Sequence, residues 1–225
     1  MTVSGAGPTD GVALRLSSSV AAGGVTAVAV YAADVSERKQ LQAVDSLFHE
    51  IDQQVLRGLP LENLLGFICS EVGRLFGYPF VWVGRKEVGG EVSIAASAGV
   101  ESGYLDDLKK IGVRWDDSPQ GHGPAGLTIR LGRTQVFNHA DPVFLPWRTA
   151  AERFNLKSMM GIPLVIRGDV YGSFNLYSRQ EHGFDDPVMV QRLSNIAGHI
   201  CVALEIVLDQ QQLRPRRTHA AHHRA

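Results

Sequence analysis

The groups in this chain that could do chemistry are two cysteines, eight histidines and two adjacent-carboxylate pairs, Asp106-Asp107 and Asp116-Asp117. A catalytic site needs a nucleophile beside a base, a working carboxylate pair or a metal-ligand cluster. Gly-x-Ser-x-Gly, a phosphate loop, His-Glu-x-x-His and Cys-x-x-Cys are all missing. Neighbouring carboxylates on a helix or loop make a solvated face rather than an acid–base pair. Cys69 and Cys201 lie far apart, each inside a helix-like apolar pattern, so they do not read as a disulfide framework or a metal site. The residues point away from an enzyme and toward a reducing, cytoplasmic setting.

The elements that must position any site alternate along the chain. Residues 12–17 and 25–31 are rich in β-branched and apolar residues around Gly23-Gly24, which predicts a hairpin. Two strands alone bury too little surface to be stable, so this piece reads as the end of something larger or an element that docks elsewhere. Asp34 or Ser36 then caps a helix. Along it Leu41, Val44, Phe48, Ile51 and Val55 recur at alternating threes and fours, a period of about 3.5 that keeps one stripe facing a partner helix. A second helix is expected over 60–75, strands over 79–85 and 91–98, and a short helix over 101–110. A long loop, 112–123, leads to a helix from Pro124 to about Leu131 and a strand over 134–138. After a second loop, 139–146, come a helix over 147–154 and a hairpin, 158–167 with 169–178, turning at Gly168-Asp169. The last helix runs from about Asp186 to Leu213, with Leu193, Ile196, Ile200, Ala203 and Val207 again at heptad spacing. Two hairpins and a lone strand predict an α+β fold with a mostly antiparallel sheet of five to six strands flanked by helices.

Composition excludes other classes. Twenty-two basic residues balance 23 acidic ones for a formal net charge of -1, which leaves no nucleic-acid footprint. No segment approaches the roughly 18 unbroken apolar residues of a membrane span, so no membrane contact is expected. The basic end after Pro215 reads as a disordered tail.

Several stretches resemble the GAF family of small-molecule sensor domains. Gly123 to Arg133 followed by Val136-Phe137-Asn138 is similar to that family's glycine-led helix and short strand. Asp141-Pro142-Val143-Phe144 with Trp147-Arg148 resembles the next loop and helix, and Ser158 to Leu164 with Val170 to Tyr177 resembles the closing strands. The hairpin ending in Asp34-Val35-Ser36-Glu37-Arg38-Lys39 is similar to the end of a PAS domain. The resemblance implies four parts: a PAS-like hairpin remnant over 1–33, a signalling helix over 34–58, a GAF domain over 59–208 and a basic tail over 209–225. Chains of this layout usually continue into a diguanylate cyclase, a phosphodiesterase or a histidine kinase.

What the resemblance implies for the site is a pocket for a small ligand lined by Trp82, Tyr104, Phe144, Trp147 and Tyr177, with Met160 on the same strands and His122, Asn138, Ser158 and Asn175 as polar contacts. His122 and His139 lie in loops that would roof it, where an imidazole ligates haem iron in a haem-sensing alternative. Asn138-His139-Ala140 has no cysteine, which argues against a covalent bilin. The cysteines fall on the wrong elements for the methionine sulfoxide reduction some relatives perform. The two heptad stripes imply a parallel homodimer through which ligand state is relayed, or, on a third reading, a dimerisation and relay module with no ligand.

Overall fold

The computed structural model describes residues 14–20, 26–32, 35–99 and 102–213, which fall into two units divided between Leu47 and Phe48. In the first unit, strands β1 (Leu14–Val20) and β2 (Thr26–Ala32) pair antiparallel, Leu14 opposite Ala32 and Val20 opposite Thr26. The glycine turn expected between them lies outside the described residues, as does the tail from 214 onward. Helix α1 (Val35–Leu56) runs across the division.

The second unit is the larger. Helix α2 (Leu61–Phe76) leads to strands β3 (Phe80–Lys86) and β4 (Val92–Gly99). Helices α3 (Ser102–Ile111) and α4 (Pro124–Leu131) precede strand β5 (Gln135–Asn138). Helix α5 (Leu145–Arg153), strands β6 (Ser158–Ile166) and β7 (Asp169–Ser178), and helix α6 (Pro187–Leu213) complete it. Strand order is β4-β3-β7-β6-β5, every neighbour antiparallel. The α+β class and antiparallel sheet expected from the sequence are thus observed. Two hairpins, β3–β4 and β6–β7, join where Trp82 pairs with Asn175 and Phe80 with Tyr177.

The sheet is apolar on both faces because helices cover both. In α2, buried Leu64, Leu65, Ile68, Cys69 and Val72 recur at helical spacing, so one stripe meets β3 and β4. Helix α6 lays Leu193, Ile196, Ala197, Ile200, Ala203, Leu204 and Val207 inward against β6. Each buried Leu, Ile or Val among them contributes about 1.5–3 kcal/mol by leaving water. The opposite face carries α3, α4 and α5 over Phe80, Trp82, Met159 and Tyr177. The β6–β7 hairpin turns at Arg167 and Gly168, both left-handed (φ 53° and 87°). The primed two-residue turn that matches strand twist requires this, and glycine supplies it cheaply at the second position.

Much of both heptad stripes is buried within the larger unit. Ile51 and Ile200 are both 0% exposed within the single chain, and Val55, Leu193, Ile196, Ala203 and Val207 of the same unit are buried as well. Phe48 stacks on His199 (ring centroids 4.3 Å apart), and His199 reaches Asp52 at 2.9 Å, so α1 beyond Leu47 lies against α6. Only Leu41 of the predicted seam is exposed. The α1 stripe beyond Leu47 thus meets a helix of its own chain, while the α6 stripe meets β6. Among the described residues, no helix is long and apolar enough to cross a membrane.

Candidate functional site

Strand alternation puts Trp82 and Phe80 of β3 on the same sheet face as Met159 of β6 and Tyr177 of β7. Helix α3 adds Tyr104 and Leu108, and α5 adds Trp147. Phe144 comes from the 3-10 turn (Pro142–Phe144) ahead of α5. The rings lie mostly edge to face: Tyr104 is 5.4 Å from both Phe80 and Tyr177, and Phe144 is 6.5 Å from Tyr177. That is the spacing at which aromatic quadrupoles attract. At the centre is a cavity of about 10 Å³ lined by Trp82, Leu108, Val113, Gly123, Pro124, Ala125, Phe144, Trp147, Met159 and Tyr177. It has room for about one water molecule, and no charged residue lines it.

The polar atoms around this cavity are poorly served. The indole N–H groups of Trp82 and Trp147, the Tyr104 hydroxyl and Oδ1 of Asn175 are all buried without a hydrogen-bond partner. Each such group costs about 1–3 kcal/mol. Burial pushes the Tyr177 phenol up to about 12, while the neighbouring Tyr104 hydroxyl and Trp82 N–H pull it the other way. Neither of those two reaches hydrogen-bond geometry. Burial also holds Tyr104 well above the ordinary phenol range. Asn175 turns its amide nitrogen to Ser173 O (3.1 Å), Ser173 Oγ (3.0 Å) and Trp82 O (3.4 Å), which leaves its oxygen unpaired.

Of the expected pocket residues, Tyr104 and Asn175 pack beside the lining without joining it, and four are elsewhere. His122 is exposed. Its Nε2 is 3.2 Å from the Arg130 guanidinium and its Nδ1 is 2.9 Å from Ser118 O. Arginine can only donate, so Nε2 accepts and Nδ1–H donates to the carbonyl, and both ring nitrogens are occupied at the surface. Asn138 pins loops, its Oδ1 accepting from His182 N. Ser158 donates to Gln180 O and accepts from Gly183 N. Met160 lies on the opposite sheet face from Met159, which is the methionine that meets the cavity. Leu108, Val113, Pro124 and Ala125 were not singled out from sequence, nor was Gly123 for what it touches.

The loop between α3 and α4 is a fixed wall. Arg114 donates through Nη2 to Gly89 O (2.8 Å) and through Nε to Asp116 Oδ2 (2.9 Å), while Trp115 Nε1 donates to Glu87 O (2.8 Å). The Arg114 guanidinium, then Ser118, hold the Asp116 carboxyl far below the usual carboxylate range. Asp117 pairs with Arg130 at 2.7 Å and Asp107 with Arg153 at 2.9 Å. Asp107, Asp116 and Asp117 are thus each paired with an arginine.

Haem does not fit the residues present: no imidazole lines the cavity, and about 10 Å³ is far below the macrocycle's size. No group of three or more His, Cys, Asp or Glu that could hold a metal occurs among the described residues. Cys69 on α2 is buried, and burial pushes its thiol up to about 12. Burial also raises half-buried Cys201 on α6. Neither lines the cavity.

These features define an α+β domain with a small aromatic cavity on one face of an antiparallel sheet. The chain belongs to the GAF domain family, whose model matches residues 58–205. No curated protein matches it significantly. Among solved structures it is similar to the phycoerythrobilin-bound GAF domain of a cyanobacterial phytochrome, at 14% identity and TM-score 0.55, covering 75% of this chain and 97% of that one. The A. aeolicus nlh2 GAF domain in an inactive state gives 16%, TM-score 0.57 and coverages of 78% and 98%. Free methionine-R-sulfoxide reductase from Neisseria meningitidis, in complex with its substrate, gives 17%, 0.59, 75% and 93%. At these identities the likeness is one of fold.

Proposed function

We propose that this chain is a non-catalytic sensing module of a bacterial signal-transduction protein, with a small-molecule ligand held in the aromatic cavity. The carrying observation is the concentration of unpartnered polar atoms there, with Trp82 N–H, Trp147 N–H, the Tyr104 hydroxyl and Asn175 Oδ1 all buried around one cluster. Native cores leave few such groups per hundred residues, and each calls for a reason; a ligand that hydrogen-bonds them is that reason. Ligand state would pass to α6, whose inner face meets β6, and so to an effector of the cyclase, phosphodiesterase or histidine kinase kind. On this reading the β1–β2 hairpin is the end of a PAS-like module, and the chain works in the cytoplasm.

Association into a dimer is part of the proposal, through a different stripe from the buried one. Val202 (57% exposed), Ile206 (43%) and Leu213 (81%) follow one another along the outside of α6 at spacings of four and seven, and a partner helix would cover them. The small cavity volume favours a second reading, a relay module that binds nothing. Native mass spectrometry of the purified protein against its denatured mass separates the two. A bound small mass on a dimer supports sensing, a bare dimer supports relay, and a bare monomer removes the dimer mechanism.

A further inference from the structure

We infer that the cavity is stoppered by Trp147, and that its ligand is a neutral, planar, roughly indole-sized molecule bearing hydrogen-bond acceptors that takes the place of that indole. This rests on the sensing reading above. Three observations lead to it.

The first is charge. None of the ten residues around the cavity is ionised at neutral pH. A carboxylate or phosphate brought there would meet no cation, and an unpaired buried charge is strongly disfavoured. The wall selects against anions.

The second is the kind of polar group left over. Two indole N–H groups can only donate; that of Trp147 meets no acceptor, and that of Trp82 faces the Tyr177 hydroxyl outside hydrogen-bond geometry. A guest with a ring nitrogen or carbonyl oxygen supplies what the Trp82 N–H lacks. If the same guest moves Trp147 toward solvent, that second N–H gains water as its acceptor. The walls are rings and short aliphatics, which suit a flat guest.

The third is who fills the space now. The benzo edge of Trp147 rests on the backbone of Gly123, where any β-carbon would collide with Cη2 and Cζ3 of the ring. Gly123 has φ -73°, a value open to every residue, so what glycine provides there is room for this ring. Trp147 sits on a helix of nine residues, and no side-chain hydrogen bond holds its indole. The cavity of about 10 Å³ beside it is what remains when the protein's own indole occupies the site.

The test uses the full chain and three probes of one shape: quinoline, naphthalene and quinoline-2-carboxylate, measured by titration calorimetry at neutral pH. Quinoline is expected to bind saturably at one site. Naphthalene should bind about tenfold more weakly, since it offers no acceptor, and the carboxylate should not bind. Trp147→Ala removes the competing indole and should tighten quinoline about tenfold or more. With 5-fluorotryptophan incorporated, the fluorine resonance that Trp147→Phe deletes should shift when quinoline is added to the wild-type chain; this readout decides the matter if Trp147→Ala does not fold. Quinoline binding that leaves the resonance unmoved and gains nothing from Trp147→Ala overturns the stopper while sparing the sensing reading. Equal binding of the carboxylate overturns the neutral class, and naphthalene as tight as quinoline overturns the acceptor requirement. No binding of any probe to wild type or to either variant overturns the inference and counts against the sensing reading as well.

Discussion

The benzo edge of Trp147 lies against the backbone of Gly123, so that a methyl group at position 123 would fall inside the ring's contact distance. One residue opens α4 and the other belongs to α5; their contact fixes how closely the two helices roof the sheet. Gly123→Ala should destabilise the fold by about 1–3 kcal/mol, the usual cost of overpacking, and shift tryptophan emission to the red as the ring moves outward. Urea denaturation and emission spectra check this; unchanged emission would show that the ring has room to spare.

Asp116 ties the loop before α4 to Arg114 and Ser118. Its folded pKa is depressed, chiefly by the Arg114 guanidinium, so its contribution is present above the unfolded value of about 4. That contribution is lost as pH falls toward the folded value. The stability gap between wild type and Asp116→Asn should therefore be widest near neutrality and close in acid. A gap that grows below about pH 4 would contradict the assignment.

Neither cysteine lines the cavity. With Cys69 raised to about 12 and Cys201 raised as well, little thiolate exists at neutral pH. An aromatic disulfide reagent should label the native protein on the order of a hundredfold more slowly than the urea-unfolded chain. Rapid labelling of a native thiol would reopen the enzymatic reading.

The buried and exposed faces of α6 separate two effects. Val202→Asp with Ile206→Asp should halve the mass seen by light scattering while circular dichroism stays native. Ile200→Asp, at a position 0% exposed, should unfold the chain because a carboxylate would be buried without a partner. A dimer that survives the double change would place the seam elsewhere.

How much was readable in advance depends on whether local pattern or long-range packing decides. Hairpins, caps and turns are local, and the elements fall within a few residues of where apolar period and glycine placed them. Trp82, Tyr104, Phe144, Trp147 and Tyr177 do assemble, since large aromatics in a sheet-and-helix fold have few other places to go. Met159 and Met160 show the limit. A strand sends neighbours to opposite faces, but with helices on both faces each methionine is buried, and nothing local says which meets the cavity. The direction of His122 is set by Arg130, eight residues on, through a contact that spacing does not announce. The heptad stripes have the right period, yet period alone does not say whether the stripe meets a strand, a helix of the same chain or a second protomer.

The meeting of β3 with β7 bears on how the protein is made. Phe80–Gly84 is buried throughout, and its far edge has no neighbour until Asp169–Ser178 exists. A ribosome must therefore add more than eighty residues after β3 before that edge is closed. During synthesis the half-finished sheet exposes an apolar strand of the kind that recruits other chains. The β6–β7 hairpin thus works as a late clasp, and nascent chains halted before it should be the ones that chaperones hold.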